Sequence, residues 1–362
     1  MKKMLKNLFI WFIKKCSLEV RIASINKILN HKPKNNNVNS KVFGEFIDSC
    51  GKKHSLISGL RDQIKPGWRS MFIEKNFEKT ISHESIVDEL AVSKVQLERI
   101  QRLIGIHSIN IKSDMDILEI GAANGATVFQ IASYKPRTVM GSDMIEYQIN
   151  QSIDANPDDL SIISEKQFIQ SARNKMSTYF DKDISDIVSF IEDDICNSKI
   201  SSDSKDLIFS WDTLEHLKDP ESALYEMYRI LKPGGYAFHE YNPFFSFNGG
   251  HSLCTLDFLW GHVRLSSEDF ENYLKQIRPD EYETALKFYK KNLNRMTTRQ
   301  LKKYISSVGF DPIIHYPNIN YENYFAVSEG IFSDCKKNYP SLELIDLVSP
   351  SVWVGIRKPL MD

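Results

Sequence analysis

The stretch Asp116-Ile-Leu-Glu-Ile-Gly-Ala-Ala-Asn-Gly125 decides the fold. A short apolar run carrying one acid, Glu119, gives way to a turn of small residues around Gly121, Ala122 and Gly125. The next segment, Ala126-Thr-Val-Phe-Gln-Ile-Ala132, has the pattern of a helix start. A strand covered on both faces reads as such a continuous apolar run. A turn this poor in side chains lets backbone N–H groups approach a ligand closely. Ligands of open α/β sheets sit at the carboxyl ends of the strands, so the residues around Gly121 mark a cofactor site. The glycines stand at 121 and 125 only, which is not the Gly-x-Gly-x-x-Gly spacing of dinucleotide binders. No Gly-Lys-Ser/Thr follows, which argues against a triphosphate-binding loop.

Outward from this turn, strands and helices alternate. Short apolar strands are expected at Thr138–Ser142, ending at Asp143, at Ile187–Ile191, ending at Glu192-Asp-Asp194, and at Asp206–Trp211. A helix over Ser222–Leu231 is broken by Lys232-Pro-Gly-Gly235 before a strand at Tyr236–Tyr241. The helix Thr298–Val308 and strands near Pro312–Tyr316 and Ser351–Arg357 resume the alternation, which predicts a doubly wound, mostly parallel sheet. Residues between Asp143 and Ile187 read as a polar, partly helical surface insertion. Upstream, Ser93–Ile104 is an amphipathic helix, with Val95, Leu97, Ile100, Leu103 and Ile104 on its apolar side. The expected organisation is a basic helix and linker at 1–41, a mostly helical region at 42–110, a cofactor core at 111–242, a cap at 243–296 and closing elements at 297–362.

Three further blocks carry chemistry. Asp143 lies at the next strand end, 24 residues after Glu119, where a carboxylate can accept both hydroxyls of a ribose. Asp194 and Ile195 end the following strand and offer a carboxylate, a backbone N–H and an apolar face to an adenine edge. The fourth block runs Asp206-Leu-Ile-Phe-Ser-Trp-Asp-Thr-Leu-Glu-His-Leu217 and is followed by Arg229-Ile-Leu-Lys-Pro-Gly-Gly235. Together, in this order and spacing, the blocks resemble the class I S-adenosylmethionine-dependent methyltransferases, in particular the branch with Leu-Glu-His-Leu and Leu-Lys-Pro-Gly-Gly blocks. The resemblance implies a Rossmann-like, seven-stranded, mostly parallel sheet with helices on both faces, its last strand antiparallel, and S-adenosylmethionine as cofactor. It places Glu119, Gly121, Ala122 and Gly125 around the methionine part and Asp143 at the ribose. Met144 would lie beside the adenine, Asp194 and Ile195 at its edge, and Ser210 and Trp211 near the sulfonium. Many relatives have glycine where this chain has Ala123, so a less open loop is expected. By the same resemblance His216 belongs to a helix start and is structural.

The acceptor side is read from the residues alone. The fifth strand ends His239-Glu-Tyr-Asn-Pro243, and aromatic, amide, glycine and histidine residues mix through Phe244–His251 and Trp260–Arg264. Glu240, Tyr241, Asn242 and Asn248 are the expected substrate contacts. His251 and His262 are the candidate general bases, since neutral imidazole accepts a proton near pH 7; each could equally brace a loop. A small-molecule or glycan acceptor, methylated on oxygen or nitrogen, fits this mixture. The alternative is a catalytically silent partner subunit, which a cap plugging the pocket would favour.

Composition narrows the field. The net charge of −1 over 362 residues gives no field that would draw nucleic acid. Five scattered cysteines form no Cys-x-x-Cys pair and no ligand cluster, so neither a metal site nor a disulfide framework is expected, and a reducing, cytoplasmic setting is the simplest. Residues 1–15 set five lysines around Leu8-Phe-Ile-Trp-Phe-Ile13, too short to span a bilayer. An amphipathic helix docked on protein is the favoured reading there; a helix lying on anionic lipid at the inner membrane surface is the other.

Overall fold

The computed structural model describes residues 41–61, 82–144 and 159–360. The basic amphipathic segment at 1–15, the linker from His31 to residue 40 and the turn at Lys65–Gly67 lie outside the described residues.

The described chain opens with an antiparallel hairpin, β1 (Val42–Ile47) and β2 (Lys53–Ile57), where a mostly helical pattern was expected. The signal missed is turn chemistry. The Asp48 carboxylate accepts from the amides of Cys50 and Lys52, and Gly51 adopts φ +80. An aspartate followed by a left-handed glycine reverses a chain. Phe46 and Leu56 are the apolar residues this hairpin buries.

Helix α1 (His83–Ile106) extends the expected Ser93–Ile104 in both directions from its Ser82 cap. Leu97, Ile100 and Ile104 pack against the sheet, while Val95 faces solvent. Then come β3 (Asp116–Ile120), α2 (Ala126–Ala132), β4 (Thr138–Asp143), α3 (Asp159–Ser177), β5 (Val188–Glu192), β6 (Lys205–Trp211), α4 (Pro220–Ile230) and β7 (Leu231–Tyr241). The cap region carries α5 (Ser267–Ile277) and α6 (Tyr282–Lys291), followed by α7 (Thr298–Val308), β8 (Asp311–Asn318), α8 (Glu329–Asn338) and β9 (Ser351–Arg357).

The seven-stranded sheet has the order β5-β4-β3-β6-β7-β9-β8. Neighbours from β5 to β7 run parallel, and β9 is antiparallel to both β7 and β8, as the resemblance implied. Helices α4 and α7 cover one face; α1 and α2 cover the other. Sequence order reverses between β3 and β6, and a crevice opens at such a switch point because the following loops diverge to opposite faces.

Lys232 of the Lys-Pro-Gly-Gly block holds the opposite end of the sheet. Its ammonium lies 2.7 Å from Asp206 and 3.1 Å from Asp116, joining β7 to β6 and β3.

The cap is larger than residues 243–296. Phe244, Phe245, Trp260, Phe270 and Tyr289 share one apolar core with Phe46 and Leu56 of the hairpin and with Cys335, Leu342 and Leu347 between β8 and β9. Three segments distant in sequence therefore build one lobe. Among the described residues no helix is long and apolar enough to cross a membrane.

Candidate active site

Gly121 leaves β3 with φ +77, and a Cβ there would lie 2.3 Å from Thr213 Oγ1. The loop after β3 thus lies against the loop after β6 with no room for a side chain. The amides of Gly121 and Ala122 donate to the Ser142 carbonyl at 2.8 and 3.0 Å, fixing the loop against β4. Ala123 is held at φ +43, a conformation that costs an L-residue roughly 1 kcal/mol. Two partners clamp it. Its amide donates to Asp143 Oδ2 at 2.6 Å, and the Arg173 guanidinium donates to its carbonyl at 2.6 and 2.9 Å. Arg173 also lies over the Phe190 ring, 4.2 Å from the centroid. The insertion after Asp143 therefore reaches back, through α3, to brace the cofactor loop.

A cleft opens above this loop. It is open to solvent on one side and holds a cavity of about 110 Å³. Gly121, Asp143, Met144, Asp194 and Ile195 line one side. The Met144 amide donates to Asp143 Oδ1 at 2.8 Å, so backbone bonds hold both carboxylate oxygens in place. Asp194 caps the turn Ile195–Asn197 through the Cys196 amide. The β4–β5 register pairs Asp143 with Glu192, which sets Asp194 just beyond the sheet edge despite the long intervening insertion.

The other assigned cofactor residues lie deeper. Ala122 is buried against the sheet, and Gly125 forms the left-handed cap of α2. Glu119 is fully enclosed; burial pushes its carboxyl up to about 8, with the Thr127 hydroxyl opposing and the Asp143 carboxylate adding to the rise. Ser210 and Trp211 do not reach the cleft. Ser210 Oγ bonds His239 Nδ1 at 2.7 Å inside the core, and Trp211 stacks on Phe209. Side chains alternate along a strand, and this register turns both into the packed layers.

What lines the cleft past β6 is instead Asp212, Thr213, His216, Leu217 and Lys218, with Lys291 and Asn292 from the end of α6. Asp212 takes φ +47 and donates its amide to the Glu240 carbonyl. The residue keeps solvent contact, yet crowding of its carboxyl and the nearby Glu240 carboxylate push it up to about 6. Asp212 and Asn292 were not singled out from sequence, and His216 was read as structural. The signal for Asp212 and His216 was their place directly after a strand end.

The acceptor-side expectations divide. His262 is completely buried, its Nε2 2.9 Å from the Phe244 carbonyl, and burial pushes it down to about 4. It braces the cap core and cannot meet a substrate in the cleft, which corrects its candidacy as a base. His251 is half-buried behind His216, ring centroids 4.9 Å apart. Tyr241 is buried in the core beneath α4 and α7. Glu240 lies 3.8 Å from Arg99. The Asn242 amide donates to Glu215 Oε1, and Asn248 accepts from Ser246 Oγ. None of these four lines the cleft.

Comparison with known proteins agrees with the geometry. The profile described as a methyltransferase domain matches residues 92–315, more than half of the chain. The chain belongs to the methyltransferase domain family. Curated relatives of this methyltransferase include the sterol 24-C-methyltransferase of Pneumocystis carinii, 26% identical over 183 residues, which are 50% of this chain and 40% of that one. The sterol 24-C-methyltransferase of Aspergillus fumigatus is 24% identical over 130 residues, 36% of this chain and 28% of that one. The chain thus spans less than half the length of the curated relatives it matches. Similar solved structures include an S-adenosyl-L-methionine-dependent methyltransferase described from Methanococcus maripaludis, at 16% identity, TM-score 0.38, covering 80% of this chain and 98% of that one. A structure described as a methyltransferase from Bacillus halodurans shows 13% identity, TM-score 0.38, with 74% and 98% covered.

S-adenosylmethionine is the cofactor that membership of this family implies, and the residues fit it. The Gly121 loop leaves no side chain between the β3 and β6 edges, while Asp143 and Asp194 present carboxylates beside the apolar Ile195 and Met144. Asp143 would hold the ribose, Ile195, Asp194 and Met144 the adenine, and the Gly121 loop the methionine part. Among the described residues the cap leaves the cleft open.

Proposed function

We propose that this methyltransferase acts on an oxygen or nitrogen of a polar acceptor of small or medium size, such as a glycan, a lipid-linked sugar or a hydroxylated metabolite. One observation carries the reading. The cleft wall opposite Asp143 presents Asp212, Thr213, His216 and Asn292, with Lys218 and Lys291 exposed at its rim.

The bound cofactor supplies a methyl group already activated on a sulfonium. The chain must then align the acceptor, keep water away and remove a proton where the acceptor carries one. Asp212, on the cleft wall and raised above the ordinary carboxylate value, is the candidate for that proton. Likeness to sterol 24-C-methyltransferases supports a second reading, a lipid acceptor methylated on carbon.

Incubating the protein and an extract with methyl-labelled S-adenosylmethionine separates the two. Label in water-soluble or glycolipid fractions supports the polar acceptor. Label confined to neutral lipid overturns it. Calorimetry with S-adenosylhomocysteine tests the cofactor residues, and Asp143→Ala should weaken that binding at least tenfold, about 1.4 kcal/mol.

A further inference from the structure

We propose that Glu215, His216 and His251 form a binding site for a divalent first-row transition cation, such as Zn²⁺, Mn²⁺, Fe²⁺ or Co²⁺, in the wall of the cofactor cleft. One ligand atom from each lies within 4.8 Å of the other two. His216 Nε2 is 3.9 Å from Glu215 Oε1. Bonds of about 2.0–2.2 Å in a tetrahedral set place ligand atoms about 3.4 Å apart, so closing on an ion takes small side-chain rotations.

The chemistry of the donors supports the site independently of that distance. His216 Nδ1 lies 2.6 Å from the Asn292 carbonyl oxygen. A carbonyl can only accept, so Nδ1 carries the proton, and Nε2, 3.9 Å from Glu215 Oε1, is the ring's accepting nitrogen. Metal-binding histidines are oriented in this way, through the other ring nitrogen. Glu215 is 0% exposed, and its Oε2 has no hydrogen-bond partner. Its Oε1 accepts the Asn242 amide at 3.1 Å. A carboxyl enclosed without a cation is costly unless it takes up a proton or a metal.

His251 is held at φ +51, its amide bonded to the Asn248 carbonyl and its carbonyl accepting from Thr255 Oγ1 at 2.6 Å. Two imidazoles and one carboxylate suit zinc, manganese, iron and cobalt better than magnesium or calcium. Among the described residues three protein ligands are supplied, and His216 lines the cleft, so the site borders it. The role of holding an acceptor oxygen there rests on the polar-acceptor reading; binding of the cation does not.

The test is titration of the chelator-treated full-length protein with CoCl₂, followed by visible absorption and by calorimetry without cofactor. One equivalent should bind and give the d–d bands of a low-coordinate site. Glu215→Gln and His251→Ala should each weaken binding at least tenfold, while His107→Ala, on the exposed end of α1, should not change it. Thermal melts establish that each variant is folded, and the wild-type stoichiometry decides the matter if one is not. Absence of stoichiometric cobalt binding by folded wild type overturns the proposal, as does unchanged affinity in both folded variants. S-adenosylhomocysteine binding is measured on the same sample. Its presence without cobalt sinks only the cation site; its absence alongside cobalt binding sinks only the cofactor assignment.

Discussion

Replacing Glu119 by glutamine should stabilise this methyltransferase at neutral pH. The carboxyl sits inside the sheet beneath the Gly121 loop, and its value of about 8 stands well above the ordinary 4.5. Between those values the unfolded chain has released the proton and the folded chain keeps it. Folding stability therefore falls as pH rises, by about 1.4 kcal/mol per pH unit. The contribution is complete below 4.5 and declines until pH reaches about 8. By pH 7 the accumulated loss is about 3 kcal/mol; at pH 5 it is about 1 kcal/mol. Glutamine keeps the shape and can still accept from Thr127, but it has no proton to lose. The stability gap between variant and wild type should thus widen by about 2 kcal/mol from pH 5 to pH 7. Urea unfolding at several pH values measures it, and every other titrating group cancels in the difference. In thermal melts the widening corresponds to a shift of about 3 °C. Parallel pH profiles for the two proteins would refute the reasoning, because they would mean that Glu119 ionises in the fold as readily as in water.

Two more perturbations address the loop and the sheet. Arg173→Ala removes the donors to Ala123 and should weaken S-adenosylhomocysteine binding about tenfold by calorimetry. Glycine adopts the left-handed conformation freely, so adding Ala123→Gly should recover much of that loss; simple additivity of the two changes would argue against the clamp. Lys232→Met leaves the Asp116 and Asp206 carboxylates without their shared ammonium and should cost about 1–2 kcal/mol in urea unfolding. Arg137 and Lys232 hold the Asp116 carboxyl well below the usual range, with Arg137 the larger cause. The stability this gives is present above the ordinary 3.8 and disappears as acid protonates the folded form, so the Lys232→Met deficit should shrink in acid.

Local pattern in the sequence determined the strand–loop–helix unit at Gly121, the alternation behind the seven-stranded sheet, and the strand-end positions of Asp143 and Asp194. These follow from features that act over a few residues: apolar periodicity, the backbone freedom of glycine, and the length of a buried strand. The antiparallel direction of β9 came from family resemblance, and pairing with β7 and β8 bears it out. Tertiary packing alone decided the rest. The face a strand-end side chain meets depends on sheet register, which turned Ser210 and Trp211 inward and left Asp212 on the cleft. Docking of the cap buried His262 in its core but brought His251 against Glu215 and His216, 35 residues earlier in the chain. Arg173 reached Ala123 across 50 residues. Contacts of this kind arise from the burial of whole surfaces, and no local spacing records which residues such burial will join.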